Sequence, residues 1–174
     1  MSDWPAEVHA TLREERVQLV GYVPDAGHQR LIDLARADPA MRAVVLSTEE
    51  EGVGLAAGAW LGGARCALLM QSSGVGNCIN ALGMVRECRF PLLMLVTMRG
   101  EVGEFNPWQV PMGQATPAVL AAMGVAVQHA ASEDEVVPAV SAAARLAFGS
   151  YAAVAVLVSQ RVIGIKSFQE QAAQ

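Results

Sequence analysis

The chain has 174 residues, a formal net charge of −5 and a pI near 5.1; 53% of its residues are hydrophobic and 17% charged. That length suits a single domain spanning 1–174, and the apolar excess is enough for a sizeable core with apolar surface left over for a partner subunit. An acidic chain without a Lys/Arg run excludes nucleic acid as the expected partner, and the longest apolar run, residues 91–96, is too short for a bilayer.

In chain order, the polar and acid-rich residues 4–16, with Val8 and Leu12 four apart, predict an opening helix rather than a signal peptide. A short strand over 17–23 ends at Pro24. Residues 30–36 (RLIDLAR) have helical spacing, and Pro39 closes them. A second strand covers 42–46. Ser47 and Thr48 offer N-caps to a helix over 49–61, which Gly62 and Gly63 stop. Residues 66–70 are continuously apolar, as in a strand buried on both faces. A glycine-rich turn, QSSGVGN (71–77), leads into a helix over 77–87, then a buried strand over 91–97. A long loop runs from 98 to about 115, and Thr116 caps a short helix to 123. A strand over 125–128, a helix over 133–148 capped by Ser132, a strand over 153–158 and a polar tail over 160–174 complete the order. Alternating apolar strands and helices predict an α/β fold of three layers, α/β/α, with a mainly parallel sheet of about six strands. Ligands of such sheets sit beyond the carboxyl ends of the strands.

Three segments at those ends carry candidate chemistry. Ser47-Thr48-Glu49-Glu50-Glu51 opens a helix almost bare of charge; dipole complementarity is the bland reading of acids there, but the small residues of its body weigh against that reading alone and predict close approach by another backbone. The segment 71–77 is neither a P-loop nor a dinucleotide fingerprint, and a G-V-G turn without a ligand is at least as common as a site. The loop after residue 97 gathers Arg99, two acids, Trp108 and Gln109 at a crevice rim, where an arginine is a candidate anion holder. No hydrolytic constellation is present: His9 reads as solvent-facing, His28 as a surface or capping residue, and His129 receives no role. Cys66, Cys78 and Cys88 have neither disulfide-framework nor zinc spacing, so no metal site is expected and a reducing cytoplasm fits.

Together these pieces resemble the pyrimidine-binding (Pyr) domain of thiamine diphosphate enzymes, and most of all the sulfopyruvate and phosphonopyruvate decarboxylases. The matching features are Glu49 nine residues before Gly58, then LLMQSSGVGNCINAL, PLLMLVTMRGE and MGQAT, with the likeness running from residue 21 to about 129. The resemblance implies the thiamine diphosphate-binding fold and a catalytic Glu49 that bonds N1′ of the aminopyrimidine. It favours the imino form of the ring that takes the proton from C2. Gln71, Gly74, Gly76 and Asn77 would line the cofactor, and Asp25 and Arg99 would face the substrate. The family's diphosphate-binding Gly-Asp-Gly motif is missing from this sequence. A beta-type partner subunit is therefore expected to hold the diphosphate and Mg2+, in an oligomer of both chains. The expected activity is decarboxylation of a 2-oxo acid by an alpha-type subunit inactive without its partner. The alternatives are half of another thiamine diphosphate carboligase or lyase, and a non-catalytic scaffold or regulatory domain of the same fold.

Overall fold

The computed structural model of the protein describes residues 3–164. Six strands form one sheet: β1 (Val17–Tyr22), β2 (Arg42–Val45), β3 (Arg65–Gln71), β4 (Leu92–Thr97), β5 (Ala126–Ala130) and β6 (Ala153–Val158). All are parallel, in the order β2-β1-β3-β4-β6-β5. The helices are α1 (Trp4–Glu14), α2 (Gln29–Ala37), α3 (Glu49–Leu61), α4 (Ser72–Cys88), α5 (Val110–Ala122), α6 (Glu133–Ser150) and the short α7 (Gln160–Ile163). This is the three-layer α/β/α arrangement expected of a Pyr-type domain.

The central strands are apolar between their ends because both their faces are covered; every residue of β4 is buried. Alternation along β3 and β4 sends Leu69, Leu93 and Leu95 toward α1, α2 and α6, where they meet Val8, Leu12, Leu31 and Val140. Leu68, Met70, Met94 and Val96 point the other way, against Val53 and Ala56 of α3, Val75 and Leu82 of α4 and Leu120 of α5. Each fully buried Leu or Val contributes roughly 1.5–3 kcal/mol, so the two cores clamp the sheet from both sides. None of the described helices is long and apolar enough to cross a membrane.

Two boundaries differ from expectation. α4 begins at Ser72, directly off β3, so residues 72–77 are its first turns rather than a loop. Glycine marks turns by default, but here Gly74 and Gly76 stand inside a helix at places where a neighbour needs the room of a Cβ. α5 begins at Val110, preceded by a 3-10 turn at Pro107–Gln109. Pro107 and Pro111 occupy first-turn positions, where a missing N–H costs nothing, so they start helical segments rather than interrupt them. Thr116 lies within α5 and donates its hydroxyl to Met112 O at 2.7 Å instead of capping. Residues 165–174, most of the expected polar tail, lie outside the described residues.

The direction of winding reverses between β1 and β3. α2 connects β1 to β2 on one face, and α3 connects β2 to β3 on the other. The segments leaving β1, β2 and β3 therefore meet at the carboxyl edge of the sheet, the usual ligand position in such folds.

Candidate active site

Three carboxylates open α3, and their surroundings separate them. Thr48 takes the N-cap position in extended conformation without a side-chain cap bond. Glu51 does the closing instead: its Oε2 accepts from the backbone N–H of Ser47 at 2.8 Å. The same device opens α6, where Glu135 Oε2 accepts from Ala131 N–H at 2.7 Å. Glu51 is thus accounted for by helix architecture. Glu50 is exposed, whereas Glu49 is 8% exposed.

Glu49 lies against α4. A Cβ at Gly74 would overlap its carboxyl group, so glycine at 74 is what admits the side chain. Asn77, one turn further along α4, donates Nδ2–H to Glu49 Oε2 at 2.8 Å. Among the described residues, Oε1 of Glu49 has no hydrogen-bond partner. Below them, the Cys78 thiol is pushed up to about 12, first by burial and then by the carboxylates of Glu49 and Glu50. It remains a neutral thiol and an inert wall. Gly52 lets α3 approach the sheet closely, since a Cβ there would lie 2.9 Å from Leu68. Gly54 and Gly58 are exposed, with open space at their Cβ positions.

A second polar group gathers at the ends of β1, β3 and β4. Asp25 Oδ1 accepts from Gln71 Nε2 at 3.2 Å and Oδ2 from Thr97 Oγ1 at 2.6 Å. Ser73 Oγ donates to Gln71 Oε1 at 2.9 Å, which fixes the amide. Gly27 keeps the turn tight, because a Cβ there would lie 2.8 Å from Thr97. His28, only 1% exposed, is buried beside this turn, with Nε2 at 3.0 Å from the Leu95 carbonyl. Nε2 must therefore carry the hydrogen, and among the described residues Nδ1 is buried without a partner. Burial holds its pKa below the usual histidine value, and the Asp25 charge opposes that only in part.

Arg99 occupies a third place. Its guanidinium is buried and bidentate to Glu104, with Nε–Oε2 and Nη2–Oε1 both 2.6 Å. The arginine holds the Glu104 carboxyl at about 2, far below its usual range. The structure thus joins Glu49, Gly74 and Asn77 in one group and Asp25 with Gln71 in another. Gly76 faces Met112, whose Sδ would lie 3.2 Å from a Cβ at that position. His28, which the sequence reads as a surface or capping residue, is instead buried, because its ring is drawn under the turn to the Leu95 carbonyl. Neither Thr97 nor Met112 is singled out by the sequence, although Thr97 leaves a trace as the one polar residue ending the apolar run of β4; Glu104 stands out only as one of two acids in the loop.

No family model matches the chain. It is 33% identical over 152 residues to the sulfopyruvate decarboxylase subunit alpha of Methanococcus maripaludis, covering 87% of this chain and 91% of that protein. The chain belongs to the sulfopyruvate decarboxylase alpha-subunit family. A second member, from Methanothermobacter thermautotrophicus, is 34% identical over 87% of this chain and 92% of its own length. A phosphonopyruvate decarboxylase of Streptomyces viridochromogenes is 36% identical over 66% of this chain and 30% of that protein. The fold of this family member also matches a 2-oxoglutarate:ferredoxin oxidoreductase of Magnetococcus marinus, with a TM-score of 0.74 and 16% identity. That match covers 90% of this chain and 28% of the other. Decarboxylase relatives and the Pyr-type architecture place this alpha-type chain among the thiamine diphosphate-dependent decarboxylases.

Proposed function

We propose that the chain is the alpha-type subunit of a non-oxidative 2-oxo acid decarboxylase, of sulfopyruvate or phosphonopyruvate type, and that Glu49 activates its thiamine diphosphate. The observation that carries this is the environment of Glu49: a buried carboxylate, admitted by Gly74, fixed through one oxygen by Asn77 and, among the described residues, unbonded at the other. That donor set fits the aminopyrimidine, because a carboxylate oxygen lacking a partner is what a protonated ring nitrogen needs. When bound, thiamine diphosphate supplies the thiazolium that accepts the electron pair left by departing carbon dioxide.

The chain's own residues bind, orient and hold a proton. Glu49 would share a proton with N1′ of the ring, and Asn77 would keep the carboxylate turned toward it. Gly74 would form the wall beside the ring, whereas Gly76, turned to Met112 of α5, would back that wall from the other face of α4. Asp25, held by Gln71 and Thr97, would present its carboxylate on the substrate side, so Gln71 serves the substrate side through Asp25. Arg99 enters this reading as a loop residue rather than an anion holder, because its forked edge is taken by Glu104. A beta-type partner would hold the diphosphate through Mg2+, in keeping with relatives named as alpha subunits.

Titration calorimetry of thiamine diphosphate and magnesium, with and without the partner chain, tests the assignment. Binding in the mixture alone is the expected result; no binding in either supports a scaffold role. In the assembled enzyme, Glu49→Gln is expected to fold normally and to slow C2 proton exchange of the cofactor by about 100-fold or more. Exchange at the wild-type rate would remove Glu49 from the mechanism.

A further inference from the structure

Residues 98–109, between β4 and α5, form a strap closed by one carboxylate. Glu104 accepts five hydrogen bonds: two from Arg99, two from the backbone N–H groups of Gly100 (3.2 Å) and Asn106 (2.9 Å), and one from Gln160 Nε2 (3.1 Å). Gln160, at the start of α7, is itself buried and returns Oε1 to the N–H of Glu101 at 3.1 Å. Glu101 Oε2 accepts in turn from Ser159 Oγ at 2.6 Å and from Gln160 N–H at 2.8 Å. The exits of β4 and β6 are thereby tied to each other.

The tie also reaches α4. The Arg99 N–H donates to Ser72 Oγ at 3.1 Å, and Ser72 is the first residue of α4. Gly113 of α5 lies so close on the Arg99 carbonyl that a Cβ would overlap it. Gly100 completes the turn at φ +76°, with Val110 2.9 Å from where its Cβ would stand. Further along, Met112 of α5 abuts Gly76. The first turns of α4 are thus held between the clasped strap and α5 on one side and Glu49 on the other. Asn77, which fixes Glu49, belongs to those turns.

We propose that Glu104 is a positioning residue for the Glu49 site: by clasping Arg99 and Gln160 it sets the start of α4, and with it Gly74 and Asn77 around the working carboxylate. This rests on the reading of Glu49 given above; its test does not. Amide hydrogen exchange of the full chain is the measurement. Glu104→Ala is expected to speed exchange by about tenfold or more in residues 100–109 and also in residues 76–80 of α4, while β6 and α6 stay at wild-type rates. Glu104→Gln, which keeps shape and an acceptor oxygen, is expected to restore residues 76–80 at least in part. Gln160→Leu removes one donor and is expected to give the same pattern at smaller amplitude; it decides the matter should Glu104→Ala fail to fold. Faster exchange confined to 100–109, or none, would overturn the proposal by reducing Glu104 to a local brace. Because exchange is read without thiamine diphosphate, a failure here is separate from a failure of Glu49→Gln in the assembled enzyme.

Discussion

At the scale of single residues, the question is why one acid of three is buried. Glu51 and Glu135 hold equivalent positions in α3 and α6 and do the same work, each closing its helix onto a preceding backbone N–H. Helix closure therefore explains Glu51 and leaves the burial of Glu49 unexplained by architecture. Its counterpart in α6, Glu133, is only half-buried. Gly74 is the other side of that contact. On propensity alone Gly74→Ala would strengthen α4 by up to about 1 kcal/mol. The overlap with the Glu49 carboxyl reverses the sign, and a net loss of about 1–3 kcal/mol is expected, as for overpacked sites. A double-mutant cycle with Glu49→Ala checks it. The loss should largely vanish in the double variant, and strict additivity would mean that the two residues do not touch as described.

At the scale of elements, most of the architecture was legible in the sequence, for identifiable reasons. α3 runs Glu49–Leu61, as its caps and glycine stop predict, and β6 runs Ala153–Val158, as its apolar run predicts. The starts of α4 and α5 were not legible, because Gly74, Gly76, Pro107 and Pro111 carry turn signals that tertiary neighbours override. Likewise Glu49 could be singled out by resemblance, but its burial against Gly74 needed two helices brought together. The clasp on Arg99 ties its own loop to Gln160 of α7, and no local spacing connects those two segments. Glycines of similar appearance differ accordingly. Gly58 has open space at its Cβ position, so Gly58→Ala is expected to stabilise the isolated chain by about 0.5–1 kcal/mol. Gly113 sits on the Arg99 carbonyl, so Gly113→Ala is expected to cost several kcal/mol, on the order of 3, and to dislodge α5. Denaturant midpoints of the two variants should move in opposite directions; a shared direction would contradict the packing of α5.

At the scale of the whole molecule, two buried titrating groups tie the sheet's carboxyl edge together and give its stability a shape in pH. His28 links the turn after β1 to β4, and burial depresses its folded pKa below the ordinary 6.5. The unfolded chain then binds the extra proton, so the contribution of neutral His28 is complete above pH 6.5 and is lost as pH falls through the folded value. Glu104 links β4 to β6, and its carboxyl is lowered from 4.5 to about 2, mainly by Arg99. Its contribution, roughly 3 kcal/mol for such a shift, is complete above pH 4.5 and disappears as pH falls through about 2. Acidification should therefore weaken the fold in two stages, one beginning below 6.5 and one below 4.5. Chemical denaturation across pH separates them. His28→Gln keeps a donor for the Leu95 carbonyl but cannot titrate, and is expected to flatten the slope between pH 6.5 and 4.5 while leaving the lower stage in place. Glu104→Gln is expected to do the reverse. If His28→Gln kept the upper slope at its wild-type steepness, the buried imidazole would not be its source, and the neutral tautomer assigned to His28 beside Asp25 would have to be given up.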